Sequence, residues 1–276
     1  MRSLSARRRH PLASVVVLLL GLLTVGGLYS ALAPRAATAD TSQSDLVEQG
    51  RQLYLIGCAS CHGINATGIL AEGGSSNYGP TLVGVGAAAV DFQVGTGRMP
   101  MAAAAPQAPD KPAVYDAAET EALAAYIASL APGPAVPSEE MYLPVGIDAE
   151  GIARGGELFR ANCTACHNSV GAGGALPDGR YAPALTGVTD VHIYEAMVTG
   201  PQQMPVFPDD VITAEDKRQI IAYINTVEEQ PNYGGFGLGG LGPVAEGMVV
   251  WLVGMGVLIA SAVWIAAHGA RARSKP

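Results

Sequence analysis

Cys163-Thr164-Ala165-Cys166-His167 and, earlier in the chain, Cys58-Ala59-Ser60-Cys61-His62 are two copies of one five-residue pattern. Cys-x-x-Cys-His is the attachment signature of c-type haem. The spacing has a chemical reason. Two thiols three positions apart lie on one side of a helical turn, where both can add to the vinyl groups of one porphyrin. The adjacent histidine then sits beneath the iron as an axial ligand. The pattern occurs twice and uses all four cysteines of the chain. Two covalently bound haem c groups are therefore expected, one on Cys58 and Cys61 and one on Cys163 and Cys166, with His62 and His167 as iron ligands.

Other uses of four cysteines account for less. Two Cys-x-x-Cys pairs can bind one zinc, but usually with about 15–20 residues between the pairs; Cys61 and Cys163 are far more distant than that. Two disulfides in an exported chain leave both histidines unexplained.

The sequence around the motifs repeats as well. An offset of 105 carries Val47, Gly50 and Tyr54 onto Ile152, Gly155 and Phe159 ahead of the second motif. An offset of 103 carries Tyr78, Pro80, Leu82 and Gly84 onto Tyr181, Pro183, Leu185 and Gly187. An offset of 97 carries Leu123, Tyr126, Ile127 and Leu130 onto Ile220, Tyr223, Ile224 and Val227, an apolar face at the i, i+3, i+4, i+7 spacing of a helix. The start of that helix recurs too: Asp116 with Glu119, then Thr213 with Asp216, the second pair matching a capping box. A period this long, present only twice, indicates duplicated domains and not a solenoid.

The repeat also selects a sixth iron ligand. Methionine thioether is the usual partner of histidine in electron-transfer cytochromes. Met99 and Met101 are available in the first copy, Met197 and Met204 in the second. Met99 lies 37 residues after His62 and Met204 lies 37 after His167, and each is followed by a proline, Pro100 or Pro205. Met101 and Met197 have no counterpart at equal spacing and are expected in core or loop packing. The expected axial pairs are His62/Met99 and His167/Met204. His192 has no equivalent in the first copy, so a surface or hydrogen-bonding role is expected for it. His10 and His268 flank apolar segments.

The chain has 276 residues, 49% of them hydrophobic and only 14% charged. Two apolar runs at the ends account for part of that imbalance. The formal charge of −8 is unevenly placed: from Asp40 to Gln230 there are 23 Asp and Glu against 8 Lys and Arg, a balance of −15. An acidic middle argues against nucleic-acid binding. It suits docking on a basic partner surface, and equally a solvated face.

At the N-terminus, Arg7-Arg8-Arg9 precedes an apolar run from Leu12 to about Ala33. This is an export signal or a signal anchor, longer than a typical apolar region of about 7–15 residues and near the ~20 that span a bilayer. Ala37-Thr38-Ala39 before Asp40 is a plausible cleavage site. At the other end, Val244–Ala267 is apolar with only Glu246 charged, and Trp251 and Trp264 lie toward its two ends as interfacial anchors do. Arg271, Arg273 and Lys275 follow, so the positive-inside rule puts the C-terminus in the cytoplasm and the haem modules on the outer side of the cell membrane.

With these residues in place, each module resembles a class I cytochrome c. The resemblance implies a first helix that crosses the last at a Gly-x-x-x-aromatic face, with Gly50 and Gly155 allowing close approach, Tyr54 against Tyr126 and Phe159 against Tyr223. It implies that the Pro80 and Pro183 carbonyls accept the ring N–H of the haem-ligating histidines, and that Leu82 and Leu185 pack on the porphyrin. The first module carries eight extra residues between Met101 and Ala118, a longer Ala/Pro loop near the methionine side of its haem and a candidate contact surface.

The whole order of parts is similar to the dihaem cytochrome c subunit (cytochrome cc) of the actinobacterial cytochrome bcc complex, down to the linker Tyr233-Gly234-Gly235-Phe236-Gly237-Leu238-Gly239-Gly240. The implied fold is all-α: an export signal or signal-anchor helix (1–39), cytochrome c domains at 44–131 and 148–230 joined by a stiff Pro-rich linker (132–147), a Gly-rich linker (231–243), a transmembrane helix (244–268) and a basic cytoplasmic tail (269–276). The implied role is electron transfer within a menaquinol–cytochrome c oxidoreductase. The implied partners are a cytochrome b subunit, a Rieske iron–sulfur subunit and a terminal oxidase with a binuclear copper centre. A membrane-tethered carrier for a periplasmic dehydrogenase is the alternative of the same chemical class. A dihaem peroxidase would need an iron that opens a site for peroxide, and two matched His/Met sites argue against it. A haem sensor would need a free ligand site and an output domain, and neither is visible.

Replacing Cys163 and Cys166 together by alanine is expected to leave one covalent haem in place of two, read from the mass of the denatured chain. A double variant that keeps both haems contradicts the attachment assignment.

Overall fold

The computed structural model describes residues 11–32, 43–70, 77–103, 105–229 and 243–273. The Arg7-Arg8-Arg9 cluster, His10, the Ala37–Ala39 cleavage site, the Tyr233–Gly240 linker and Lys275 lie outside those residues. The chain divides into two compact units, Met1–Ser42 and Gln43–Pro276.

The first unit contains helix α1 (Pro11–Leu32), 22 residues without a charged side chain. The hydroxyl of Thr24 donates back to the carbonyls of Leu20 and Gly21 at 2.8 and 3.0 Å, which satisfies the polar atom inside an apolar helix.

The second unit is built from the two repeats. In the first, α2 (Gln43–Gly57) crosses α5 (Ala117–Leu130), with α3 (Ala59–His62) and α4 (Ala87–Gly95) between them. After the short helix α6 (Glu139–Tyr142) the pattern recurs: α7 (Ala149–Asn162) crosses α10 (Ala214–Glu229), with α8 (Thr164–His167) and α9 (Asp190–Thr199) between. Helix α11 (Pro243–Arg273) follows, and its stretch Glu246–His268 is long and apolar enough to cross a membrane. All its described side chains are exposed.

Glycine sets both crossings. A Cβ on Gly50 would lie 1.9 Å from the Ala122 carbonyl oxygen, and one on Gly155 would lie 1.9 Å from that of Gln219. Ala122 and Gln219 are themselves related by the offset of 97. Beside each crossing sits a ring pair: Tyr54–Tyr126 with centroids 5.3 Å apart and Phe159–Tyr223 at 5.5 Å, both tilted by more than 40°. The first core gathers Tyr54, Leu123, Tyr126 and Ile127 against Val90 and Val94 of α4. The second gathers Phe159, Ile220 and Ile224 against Ile193, Tyr194 and Met197 of α9.

Four features go beyond the sequence expectation. Two antiparallel pairs of very short strands, β1 (Ile69–Leu70) with β2 (Asn77–Gly79) and β3 (Gly174–Ala175) with β4 (Tyr181–Ala182), close the loops after the two motifs. Pieces this short carry no alternation to detect. Helices α4 and α9 were not marked by a stripe in the sequence: α4 is apolar nearly all round, and α9 is short, burying Ile193, Tyr194 and Met197. The capping box is complete at the other copy: Asp116 accepts from the Glu119 N–H at 2.9 Å and Glu119 accepts from the Asp116 N–H at 3.0 Å. In the second copy Thr213 accepts from the Asp216 N–H at 3.1 Å, but the Asp216 carboxylate takes the Thr213 hydroxyl and not its N–H. Finally, the Pro-rich linker is docked near both of its ends. The Pro134 carbonyl accepts from the Ala88 N–H at 3.1 Å, and Arg218 donates to the Leu143 and Val145 carbonyls at 3.1 and 2.9 Å.

Alanine at a mid-helix glycine is favoured by about 1 kcal/mol on propensity alone. Overpacking at a closed crossing costs about 1–3 kcal/mol or more. Gly155→Ala is therefore expected to destabilise the haem-loaded chain, with a fall of several degrees in Tm on the scale of about 4–8 °C per kcal/mol for a small domain. A rise in Tm by calorimetry contradicts the closeness of the crossing.

Candidate haem sites

Each motif sits on the same chain reversal. Helix α2 stops at Gly57 and α3 resumes at Ala59, with the Cys58 N–H on the Tyr54 carbonyl at 2.9 Å and the His62 N–H on the Cys58 carbonyl at 3.0 Å. In the second copy the Cys163 N–H reaches the Phe159 carbonyl at 2.8 Å and the His167 N–H the Cys163 carbonyl at 2.9 Å. This turn puts one cysteine of each motif, Cys58 or Cys163, against its domain core, and leaves Cys61 and Cys166 exposed. None of the four is in a disulfide. Burial, and then the neighbouring cysteine, push Cys58 and Cys163 up to about 11. One zinc shared by the two pairs would need all four sulfurs brought together. The two pairs belong to separate cores, and among the described residues no cysteine joins a group able to hold one ion.

The loop after each motif is folded back by matched hydrogen bonds. The Gly68 N–H donates to the His62 carbonyl at 2.8 Å and the Gly173 N–H to that of His167 at 2.9 Å. The Leu82 N–H donates to the Ala66 carbonyl and the Leu185 N–H to the Gly171 carbonyl, both at 2.8 Å. Gly68 and Gly173 hold φ of 83° and 78°, a region open to glycine, and a Cβ on Gly68 would lie 2.8 Å from the Thr81 nitrogen. These bonds bring the prolines to the histidines. His62 Nδ1 lies 2.8 Å from the Pro80 carbonyl oxygen, and His167 Nδ1 lies 3.0 Å from that of Pro183. A carbonyl only accepts, so Nδ1 carries the proton and Nε2 keeps its lone pair for a metal. Burial lowers the His167 pKa, against the Pro183 bond that raises it.

The methionines are held by their own loops. The Met99 N–H donates to the Gln93 carbonyl at 2.8 Å, and Met99 packs on the first core together with Cys58 and Leu82. The Met204 N–H donates to the Pro201 carbonyl at 3.0 Å, and Met204 packs on the second core with Cys163 and Leu185. Buried Lys217 secures the chain beyond Met204, bonding Asp209 and the Ile212 carbonyl. Of the other two methionines, Met101 is half-buried in its loop. Met197 is a core residue, as expected, and also borders the second site.

Around the second motif the structure encloses a cavity of about 560 Å³, bordered by Cys163, Cys166, His167, Pro183, Leu185 and Met204. That volume lies within the ~300–1,000 Å³ usual for a cofactor pocket. An apolar slot with two thiols at one edge, an imidazole whose Nε2 is free and a thioether matches the donor set of a covalently bound haem c. One wall comes from the other repeat: Phe92, Arg98, Gln107 and Lys111 of the first domain border the same cavity. Gln107 belongs to the inserted Ala/Pro loop. Its side-chain amide donates to the Tyr181 carbonyl at 2.8 Å and accepts from the Tyr181 N–H at 2.9 Å. The insertion is thus a contact surface for the second domain of the same chain. Sequence repeats could not show this, because it lies where the repeats differ.

Comparison with known proteins follows the same division. The family described as cytochrome c matches residues 47–131, and the family described as cytochrome C oxidase, cbb3-type, subunit III matches residues 150–224. The chain is 43% identical to the cytochrome bc1 complex cytochrome c subunit of Corynebacterium diphtheriae, covering 96% of this chain and 97% of that protein. It is 44% identical to the subunit of the same name from Corynebacterium efficiens, over 93% of this chain and 89% of that one. For the Mycobacterium bovis protein of that name the identity is 43%, over 95% and 93%. Its duplicated cytochrome c domains and this identity along nearly the full length place the chain in the family of cytochrome c subunits of the cytochrome bc1 complex.

Proposed function

We propose that the chain is the membrane-anchored dihaem subunit of a menaquinol–cytochrome c oxidoreductase, passing electrons from the Rieske iron–sulfur centre of that complex through its two haems to the copper centre of a terminal oxidase. The names of its relatives support the assembly. The observation that carries the relay is the shared wall: first-domain residues Phe92, Arg98 and Lys111 border the cavity at His167 and Met204, so the two sites belong to one packed unit. Electron transfer between them then needs no diffusing partner.

The proposed iron ligands are His62 with Met99 and His167 with Met204, and the proposed thioether attachments are at Cys58, Cys61, Cys163 and Cys166. A haem held there supplies a one-electron iron couple. The protein's own part is positional. Pro80 and Pro183 fix the histidine rings through Nδ1–H, Leu82 and Leu185 exclude water, and the methionine loops keep thioether sulfur as the sixth donor. Such a site changes geometry little on gaining or losing an electron. Domains at 44–131 and 148–230 are supported by the two family matches. Insertion of Glu246–His268 in the cell membrane, with the C-terminus in the cytoplasm, is supported by its length and by Arg271, Arg273 and Lys275. The partners proposed are the cytochrome b and Rieske subunits and the oxidase. Purification from detergent-solubilised membranes is expected to bring a cytochrome b with this chain; a periplasmic dehydrogenase in its place contradicts the assignment.

Replacing Met99 or Met204 by alanine is expected to lower the potential of that haem, within the roughly 0.8 V that axial ligands span, and to stall quinol oxidation. Spectropotentiometric titration reads the potential and oxygen uptake the flux. A variant with both unchanged contradicts the ligand assignment.

A further inference from the structure

Asp91, His192 and Glu195 meet where the first cytochrome domain packs on the second. Asp91 belongs to α4 of the first domain, while His192 and Glu195 lie three residues apart on α9 of the second. One donor atom from each lies within 4.8 Å of the other two. Glu195 is fully buried, at 0% exposure, and neither of its carboxylate oxygens has a hydrogen-bond partner. His192 Nε2 is 4.0 Å from Asp91 Oδ2, beyond hydrogen-bond distance. Among the described residues no lysine or arginine forms an ion pair with either carboxylate. Arg98, whose charge bears on His192, lies over the Phe92 ring at 4.9 Å.

Glu195 is fully buried beside Asp91, whose side chain is 27% exposed; burial and Asp91 raise the Glu195 pKa, so the pair rests either as a shared proton or with positive charge held between two carboxylates. His192 is arranged to share in holding it. Its Nδ1 is 2.9 Å from the Thr189 hydroxyl. With Nδ1–H donating there, the Nε2 lone pair is left for the carboxylate side, as in metal sites whose histidine is oriented through its other nitrogen. Gly95 makes the room: a Cβ there would lie 3.2 Å from Nε2. One imidazole and two carboxylates form a three-ligand set for a four-coordinate ion. Imidazole in the set favours first-row transition metals over calcium and magnesium, which take oxygen donors.

We propose that Asp91, His192 and Glu195 bind one divalent transition-metal ion, zinc being the type case, at the junction of the two cytochrome domains. Zinc–donor bonds of about 2.0–2.2 Å require the three donors to close in slightly by side-chain rotation. Water completes the coordination. The ligands come from both domains, so the ion joins α4 to α9 and sets the spacing between the two haem sites. The proposal is independent of the direction of electron flow.

The test uses the full-length, haem-loaded chain in detergent, stripped with a chelator and dialysed against zinc chloride. Metal content by plasma mass spectrometry is expected to give one zinc for every two irons, the iron serving as an internal count of folded chain. Glu195→Gln and Asp91→Asn are each expected to weaken zinc binding at least tenfold with the iron count unchanged. Thr189→Val should weaken it by about 10–100-fold, as loss of an orienting partner does. If Glu195→Gln loses haem, Asp91→Asn from the opposite domain decides. A stripped wild-type chain that regains no zinc overturns the proposal and leaves a shared proton in its place. So does zinc binding that all three variants retain, since the ion would then sit elsewhere.

Discussion

Both halves of this protein depend on a helix crossing close enough that no side chain fits between the backbones. At Gly50 and at Gly155 the Cβ position is taken by a carbonyl oxygen of the opposing helix. The crossing sets the end of α2 or α7 against the core, and that end is where the Cys-x-x-Cys-His turn begins. Tyr54 and Phe159, four residues beyond each glycine, bury almost completely and fix the direction in which the turn leaves. The histidine, the loop that returns the proline carbonyl and the apolar wall follow from that placement. A methyl group at the crossing would therefore act on a site it does not touch.

The second dependence is between the halves. The second cavity is closed partly by the first domain, through Phe92 and Arg98 on and after α4 and through Gln107 in the insertion. Duplication produced two alike modules, and the eight residues that break the likeness join them. The linker takes part as well, its Pro134 carbonyl bonded to the first domain and its Leu143 and Val145 carbonyls to Arg218 of the second. Prolines here shorten the chain's freedom and also place carbonyls where neighbouring donors reach them.

The paired helices could be read from residues related by fixed offsets. The crossing glycines, both ring pairs and the histidine–proline bonds followed from the resemblance to class I cytochrome c, at positions those offsets match. What could not be read was how the two copies pack on each other. Asp91, His192 and Glu195 come from non-equivalent positions, and only packing brings them together. The complete capping box at Asp116 was assigned to the other copy, because Thr213 and Asp216 fit the pattern while the hydroxyl was free to turn toward the carboxylate. The docked linker carries no sequence mark beyond its prolines.

The central claim is that both irons are held six-coordinate by histidine and methionine, as electron carriers and not as sites for a reacting ligand. Low-temperature electron paramagnetic resonance of the oxidised full-length chain tests it most directly. The account predicts two low-spin ferric signals of equal intensity and no high-spin ferric signal. A high-spin signal approaching the intensity of one haem would show an open iron and contradict it.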